Sequence, residues 1–148
     1  MSVSGSADIV LDASVALAAL LLEPLHRQAL SLIELATAEG SRCLCPDSFD
    51  AECAAGITRA VRRGRIPRES GEQAWVQLVA LPLERHPCQL LGLDALQIAA
   101  VSGISAYDAM YVALSKAEGL PLVTTDARLV RALANTEHKT FLLGEATG

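Results

Sequence analysis

Short apolar runs of strand length alternate with stretches of helical periodicity along the 148 residues. That alternation predicts an α/β fold, a three-layer α/β/α sandwich with a central, mainly parallel sheet and helices on both faces. The length suits one ordinary domain with a core of its own. No internal repeat, low-complexity tract or linker interrupts it, so residues 8–148 are expected to form a single domain behind a loose polar leader, residues 1–7.

Asp8 to Leu11 reads as a buried first strand, and Ser14 as the cap of a helix running to Leu22. Glu23-Pro24 breaks that helix, and a second follows from about Leu25 to Glu39, ending at Gly40. Arg42 to Cys45 is a short strand. Asp47 or Ser48 caps a third helix that reaches Arg63 and stops at Gly64, and Pro67 opens a fourth carrying Trp75, Leu78 and Val79. Leu81 to Glu84 reads as a short edge strand because it contains Pro82. Cys88 to Val101 is a helix, and Ser105 begins another that ends at Gly119, with Tyr107, Met110, Tyr111 and Leu114 as its core stripe. Leu120 to Thr125 is the clearest late strand, followed by a short helix from Arg128 to Ala134 and a last strand from Lys139 to Leu143.

Composition narrows the class. The chain is 51% hydrophobic but only 3% aromatic, so the core is built from Leu, Ala, Val and Ile. A mean hydropathy of +0.34 predicts apolar surface covered by a partner or a second copy. The longest apolar run, Val15 to Leu22, is too short to cross a bilayer, and Met1 to Ser6 lack the basic and apolar regions of a signal peptide. A cytoplasmic protein without membrane contact is expected. Cys43, Cys45, Cys53 and Cys88 form no metal-binding spacing, so buried, reduced thiols are expected. The formal charge of −5 excludes a generally adhesive nucleic-acid binder but not an enzyme with a local basic rim. Arg59, Arg62, Arg63, Arg65 and Arg68 supply such a cluster, although cations near a helix C-terminus also suit its dipole.

Four separated acids carry the chemistry. Asp12 follows Ile9-Val10-Leu11 and Asp126 follows Leu122-Val123-Thr124-Thr125, both at the carboxyl ends of strands, where open α/β sheets bind ligands. Either is also explained as a turn former or helix cap. Glu52 lies at the edge of a helical arc made by Phe49, Cys53, Ile57 and Ala60. Gly56, Arg59 and Arg63 continue that edge, and Gly56 would let a phosphate backbone approach closely. A solvated edge residue is the plain alternative for Glu52. Asp108 stands three residues after Ser105, as in a capping box, and could equally project toward the sheet edge. Converged carboxylates repel one another unless a cation or proton relieves them, so a shared cleft would call for a divalent metal and point to phosphodiester hydrolysis.

The order and contexts of these residues resemble PIN-domain ribonucleases, in particular the VapC toxins of toxin–antitoxin pairs. The most specific stretch is Ile104-Ser105-Ala106-Tyr107-Asp108-Ala109-Met110-Tyr111-Val112-Ala113-Leu114, followed by Gly119-Leu120-Pro121-Leu122-Val123-Thr124-Thr125-Asp126-Ala127-Arg128-Leu129. Val10-Leu11-Asp12-Ala13-Ser14 and the Glu52 helix ending in Arg62-Arg63-Gly64 fit too, while residues 65–100 match only in helical character. The resemblance implies a PIN-like fold and an Mg²⁺- or Mn²⁺-dependent endoribonuclease with Asp12, Glu52, Asp108 and Asp126 as its acidic set. Asp12, Asp108 and Asp126 would serve the metal, and Glu52 would ligate it or orient the water. Ser14 and Thr124 would orient carboxylates, and Arg59 and Arg63 would hold substrate phosphates. Only one acid stands in Thr125-Asp126-Ala127-Arg128, where some members have another, so one metal or two stays open. The resemblance also implies an RNA substrate, a small cognate antitoxin and a homodimer.

Rival enzymes lack their marks. A receiver-like domain needs a paired acid near the first strand and a lysine ending a late one; a haloacid-dehalogenase-type phosphatase needs Asp-x-Asp where this chain has Asp12-Ala13-Ser14. No GxGxxG loop supports dinucleotide binding. The remaining alternatives are a catalytically silent interaction domain on the same fold and a housekeeping RNA-processing nuclease.

Overall fold

The computed structural model describes residues 7–144, so the expected leader falls, but for Ala7, outside the described residues. In chain order the elements are β1 (Asp8–Leu11), α1 (Ala13–Leu20), α2 (His26–Ala36), β2 (Arg42–Pro46), α3 (Phe49–Arg62), α4 (Arg68–Val79), β3 (Glu84–His86), α5 (Cys88–Ser102), α6 (Ala106–Glu118), β4 (Leu122–Thr124), α7 (Ala127–Ala132) and β5 (Thr140–Leu142).

The five strands form one sheet in the order β3-β2-β1-β4-β5, and every pairing is parallel. Val10 and Leu11 of β1 register with Leu122 and Val123 of β4, and Ile9 and Val10 with Cys43 and Leu44 of β2. These inner strands are buried on both sides, which is why they read as unbroken apolar runs. Parallel neighbours need crossovers of one hand. That rule sends α1–α4 to one face and α5–α7 to the other, in keeping with α1 packing on α2, α3 and α4, and α5 on α6. The chain therefore builds outward from β1 through β2 to β3, then returns to β4 on the far side of β1. The β1–β4 boundary is the switch point of the sheet, and its carboxyl end is where such folds open a cleft.

Helix boundaries follow local chemistry. Ser105 accepts a hydrogen bond from the Asp108 backbone N–H (3.0 Å), the N-cap expected of it. Gly119 ends α6 at φ +67, a left-handed conformation that glycine adopts without penalty. Two expectations are corrected. The helix after β1 begins at Ala13, so Asp12, not Ser14, holds the N-cap position, and no side-chain cap is made there. The edge strand is Glu84–His86 rather than Leu81–Glu84: Pro82 brings no N–H, and the chain pairs with β2 only opposite Leu44 to Pro46. Arg42 on β2 and Glu84 on β3 tie that edge by two hydrogen bonds of 2.9 Å.

Cys43, Cys45 and Cys53 are buried and unpaired, Cys88 is half-buried, and burial pushes the Cys43 and Cys45 thiols up to about 12. Such thiols are poor nucleophiles. Among the described residues, no single helix is long and apolar enough to cross a membrane.

Candidate active site

The switch point gathers all four acids. Asp12 leaves the end of β1, Asp126 follows β4, Glu52 projects from α3 and Asp108 from the first turn of α6, and all line one cleft of about 540 Å³. Ser14 and Arg59 line it too, but Arg63 does not. With a rise of about 1.5 Å per residue, Arg59 lies about 10 Å along the helix from Glu52 and Arg63 about 16 Å, at the exposed C-terminal end.

Asp12 is the most constrained of the set, only 7% exposed. Ser14 Oγ donates to its Oδ2 at 2.6 Å, and Thr124 Oγ1, wholly buried, donates to the same oxygen at 2.7 Å. Both hydroxyls are spent on Oδ2, which leaves Oδ1 without a side-chain donor. Each hydroxyl is fixed in turn. Ser14 Oγ accepts from the Thr125 N–H and Thr124 Oγ1 accepts from the Asp126 N–H, both at 3.0 Å. The two strand ends are thereby laced across the switch point. Asp126 does what a strand-end cap does, its Oδ1 accepting from the Arg128 N–H at 2.9 Å, while it also faces the cleft.

Glu52 has partners that the one-dimensional pattern hid. Ser48 Oγ donates to Glu52 Oε2 at 2.8 Å and Tyr111 Oη donates to the same oxygen at 3.1 Å. Ser48 reads in sequence as a helix cap but makes no side-chain cap bond. Its place one helical turn before Glu52 is the signal that could have found it. Tyr111 reads as core, and its ring is core; a buried tyrosine hydroxyl requires a partner, and that partner is Glu52. Two further expectations are overturned. Tyr107 is 65% exposed, because the first turn of α6 lies at the cleft rather than over the sheet. Gly56 faces Leu17 of α1, not open cleft: a Cβ there would clash with Leu17 Cδ1.

Residues 9–134 match the PIN domain family. This chain belongs to the PIN-domain family. Among curated PIN relatives, VapC ribonuclease Mb0985 of Mycobacterium bovis is 37% identical over 121 residues, 82% of this chain and 87% of that protein. Ribonuclease VapC12 of Mycobacterium tuberculosis is 32% identical over 84% of this chain and 91% of its own. The PIN fold is shared with the crystal structure of PAE2754 from Pyrobaculum aerophilum, at a TM-score of 0.63 and 19% identity, covering 93% of this chain and 87% of that one.

Electrostatics in this PIN cleft are those of crowded acids. Burial pushes Asp12, Glu52 and Asp108 above the usual carboxylate range. The hydroxyls on Asp12 and Glu52 oppose that shift, while Asp12 and Asp126 add repulsion at Asp108. Among the described residues no three acid, histidine or cysteine side chains are arranged to enclose a metal ion by themselves. The donors offered to the cleft by the four acids are carboxylate oxygens, the hard ligands that Mg²⁺ and Mn²⁺ take. Mg²⁺ needs only one or two carboxylates and keeps several waters, so an open ring of acids fits a hydrated ion better than it fits a dehydrated one.

Proposed function

We propose that this PIN-domain protein is a divalent-metal-dependent endoribonuclease, the toxin of a VapBC-type toxin–antitoxin pair. The observation that carries this reading is the arrival of Asp12, Glu52, Asp108 and Asp126 from four different elements on one cleft at the sheet's switch point. The ribonuclease names of relatives at 32–37% identity support RNA over DNA. Asp12, Asp108 and Asp126 would hold Mg²⁺ or Mn²⁺, with Glu52 ligating the ion or orienting the attacking water. Such an ion, when bound, neutralises the phosphate and lowers the pKa of a bound water.

The remaining work falls to the chain itself. Ser14 and Thr124 hold Asp12 through one oxygen and leave the other without a side-chain donor; Ser48 and Tyr111 do the same for Glu52. Arg59 has no ion-pair partner among the described residues, whereas Arg65 is engaged with Glu23 and Arg68 with Glu69 and Glu72. Arg59 also lines the cleft, which Arg62 and Arg63 do not, so it is the cation that would meet a substrate phosphate. Arg63, farther along the helix, would touch only a longer RNA. Unpaired RNA suits an open cleft better than a stiff duplex.

Partners follow from the apolar surface. A homodimer would cover the exposed Leu90, Leu93, Leu96 and Val101 of α5. A cognate antitoxin would occupy the cleft or the apolar groove of about 550 Å³ between α3 and α4, floored by Ile57, Val61 and Trp75. A toxin–antitoxin complex from Klebsiella pneumoniae shares the fold, at a TM-score of 0.63 and 13% identity over 90% of this chain and 95% of that one.

The test is cleavage of a panel of structured tRNA and rRNA by antitoxin-free protein in Mg²⁺ or Mn²⁺. Wild type should cleave, chelation should abolish cleavage, and Asp12→Asn and Asp108→Asn should each lower the rate by at least about 100-fold. Cleavage that survives in EDTA or in both variants would overturn the proposal.

A further inference from the structure

The aromatic ring of Tyr107 stands mostly exposed at the acid cleft. The sequence has five aromatic residues, two Phe, two Tyr and one Trp. Phe49 and Tyr111 are wholly buried, and Trp75 is partly buried against the core. Tyr107 is 65% exposed, and of the five it alone lines the acid cleft. Its side chain makes no hydrogen bond or ring contact among the described residues. Tyrosine has no advantage over polar residues in the first turn of a helix, and leaving its ring in water forgoes the free energy of burial. The ring is thus a surface awaiting a flat, apolar occupant.

What surrounds it specifies the occupant. Asp108, next in sequence, and the other acids form the end of the cleft where a phosphodiester would be attacked. Arg59 on α3 brings a positive charge to the same cleft, and the small side chains of Ala51 and Ala55 leave its α3 wall open. A ligand there must be anionic along its backbone and must carry a planar group beside the phosphate. An unpaired nucleotide meets both requirements, and a base inside a duplex does not, since its faces are already stacked.

We propose that Tyr107 is the stacking platform for the unpaired base that flanks the scissile phosphate. The ring then selects single-stranded or loop RNA at the cut and sets the base in register with the acids. This rests on the nuclease reading above and names a binding residue for that same site.

The test has two arms, run on a single-stranded RNA whose cut site has been mapped. In the first, KM and kcat are compared for wild type, Tyr107→Phe and Tyr107→Leu, with thermal melts to confirm that each is folded. Stacking on one base predicts a rise in KM of about 5- to 100-fold in Tyr107→Leu, a smaller change in kcat, and near-complete retention in Tyr107→Phe. In the second, the same RNA carries 2-aminopurine on one side of the cut or the other and is bound by Asp12→Asn protein. Its fluorescence should be quenched at one of the two positions when Tyr107 or Phe stands there, and not with Leu. An unchanged KM together with quenching that persists in the Leu protein would overturn the platform and leave the ring to a protein partner, while the nuclease stands. Absence of metal-dependent cleavage by wild type would overturn the nuclease reading and the platform with it.

Discussion

A carboxylate as buried as Asp12 would be costly if it stood alone, and two hydroxyls on Oδ2 offset that cost. They and a backbone hydrogen bond from Ala13 oppose the effect of burial without cancelling it, and the charge of Asp126 adds repulsion. Asp108 shows the same tension: burial raises its pKa first, the charges of Asp12 and Asp126 raise it further, and the Ser105 hydroxyl and the Arg128 charge oppose the shift only in part. The sign of the pH effect follows. An acid whose folded pKa is raised contributes stability that is complete below its unfolded value and lost as pH rises through the folded value. Metal-free Asp108→Asn should therefore match wild type in acid and melt a few degrees above it at pH 7, as read by thermal denaturation in chelator. A variant less stable than wild type at pH 7 would mean that Asp108 has a stabilising contact outweighing the repulsion. At this scale Asp12 and Asp126 were legible because strand ends are legible. Ser48 and Tyr111 were not, because a cap and a core residue are defined by position, whereas their hydroxyls meet Glu52 only after α3 and α6 pack, 59 residues apart in the Tyr111 case.

Between elements, the contact of α1 with α3 decides where Asp12 and Glu52 stand relative to each other. Gly56 leaves room for Leu17 in that contact: an added Cβ would clash with Leu17 Cδ1 and meet Cδ2 at 3.0 Å, so the Leu17 side chain would have to move. Gly56→Ala should gain about 1 kcal/mol of helix propensity and lose about 1–3 kcal/mol to overpacking, a net change from about zero to about 2 kcal/mol destabilising. Denaturant melts should find the Gly56→Ala/Leu17→Ala double variant more stable than the two single changes predict in sum. Additive effects would place the strain elsewhere. In sequence Gly56 reads as room for a phosphate backbone, because a glycine on a polar helix edge looks the same whether a ligand or a neighbouring helix approaches it. The edge strand failed for a related reason. Glu84-Arg85-His86 carries no apolar signal, since an exposed strand held by Arg42–Glu84 and Arg85–Asp50 ion pairs has none to offer.

Across the whole molecule, strand order does what no local pattern can. Because β4 returns to the far side of β1, acids 114 positions apart, Asp12 and Asp126, end at one sheet edge, and α3 and α6 come over it from opposite layers. The alternation of strands and helices made the sheet legible. The convergence of the acids followed from the strand-end rule for two of them and from family resemblance for Glu52 and Asp108. The net charge of −5 belongs to this scale as well, for four of the seventeen acids stand in the cleft. The proposed function requires these four to serve a common cation. Calorimetric titration of Mn²⁺ into wild type and into Asp12→Asn, Glu52→Gln, Asp108→Asn and Asp126→Asn tests it directly. Weaker binding at the same site in Asp12→Asn, Asp108→Asn and Asp126→Asn, with a smaller loss in Glu52→Gln, is the expected result; Mn²⁺ binding as tight in Asp12→Asn and Asp108→Asn as in wild type would contradict it.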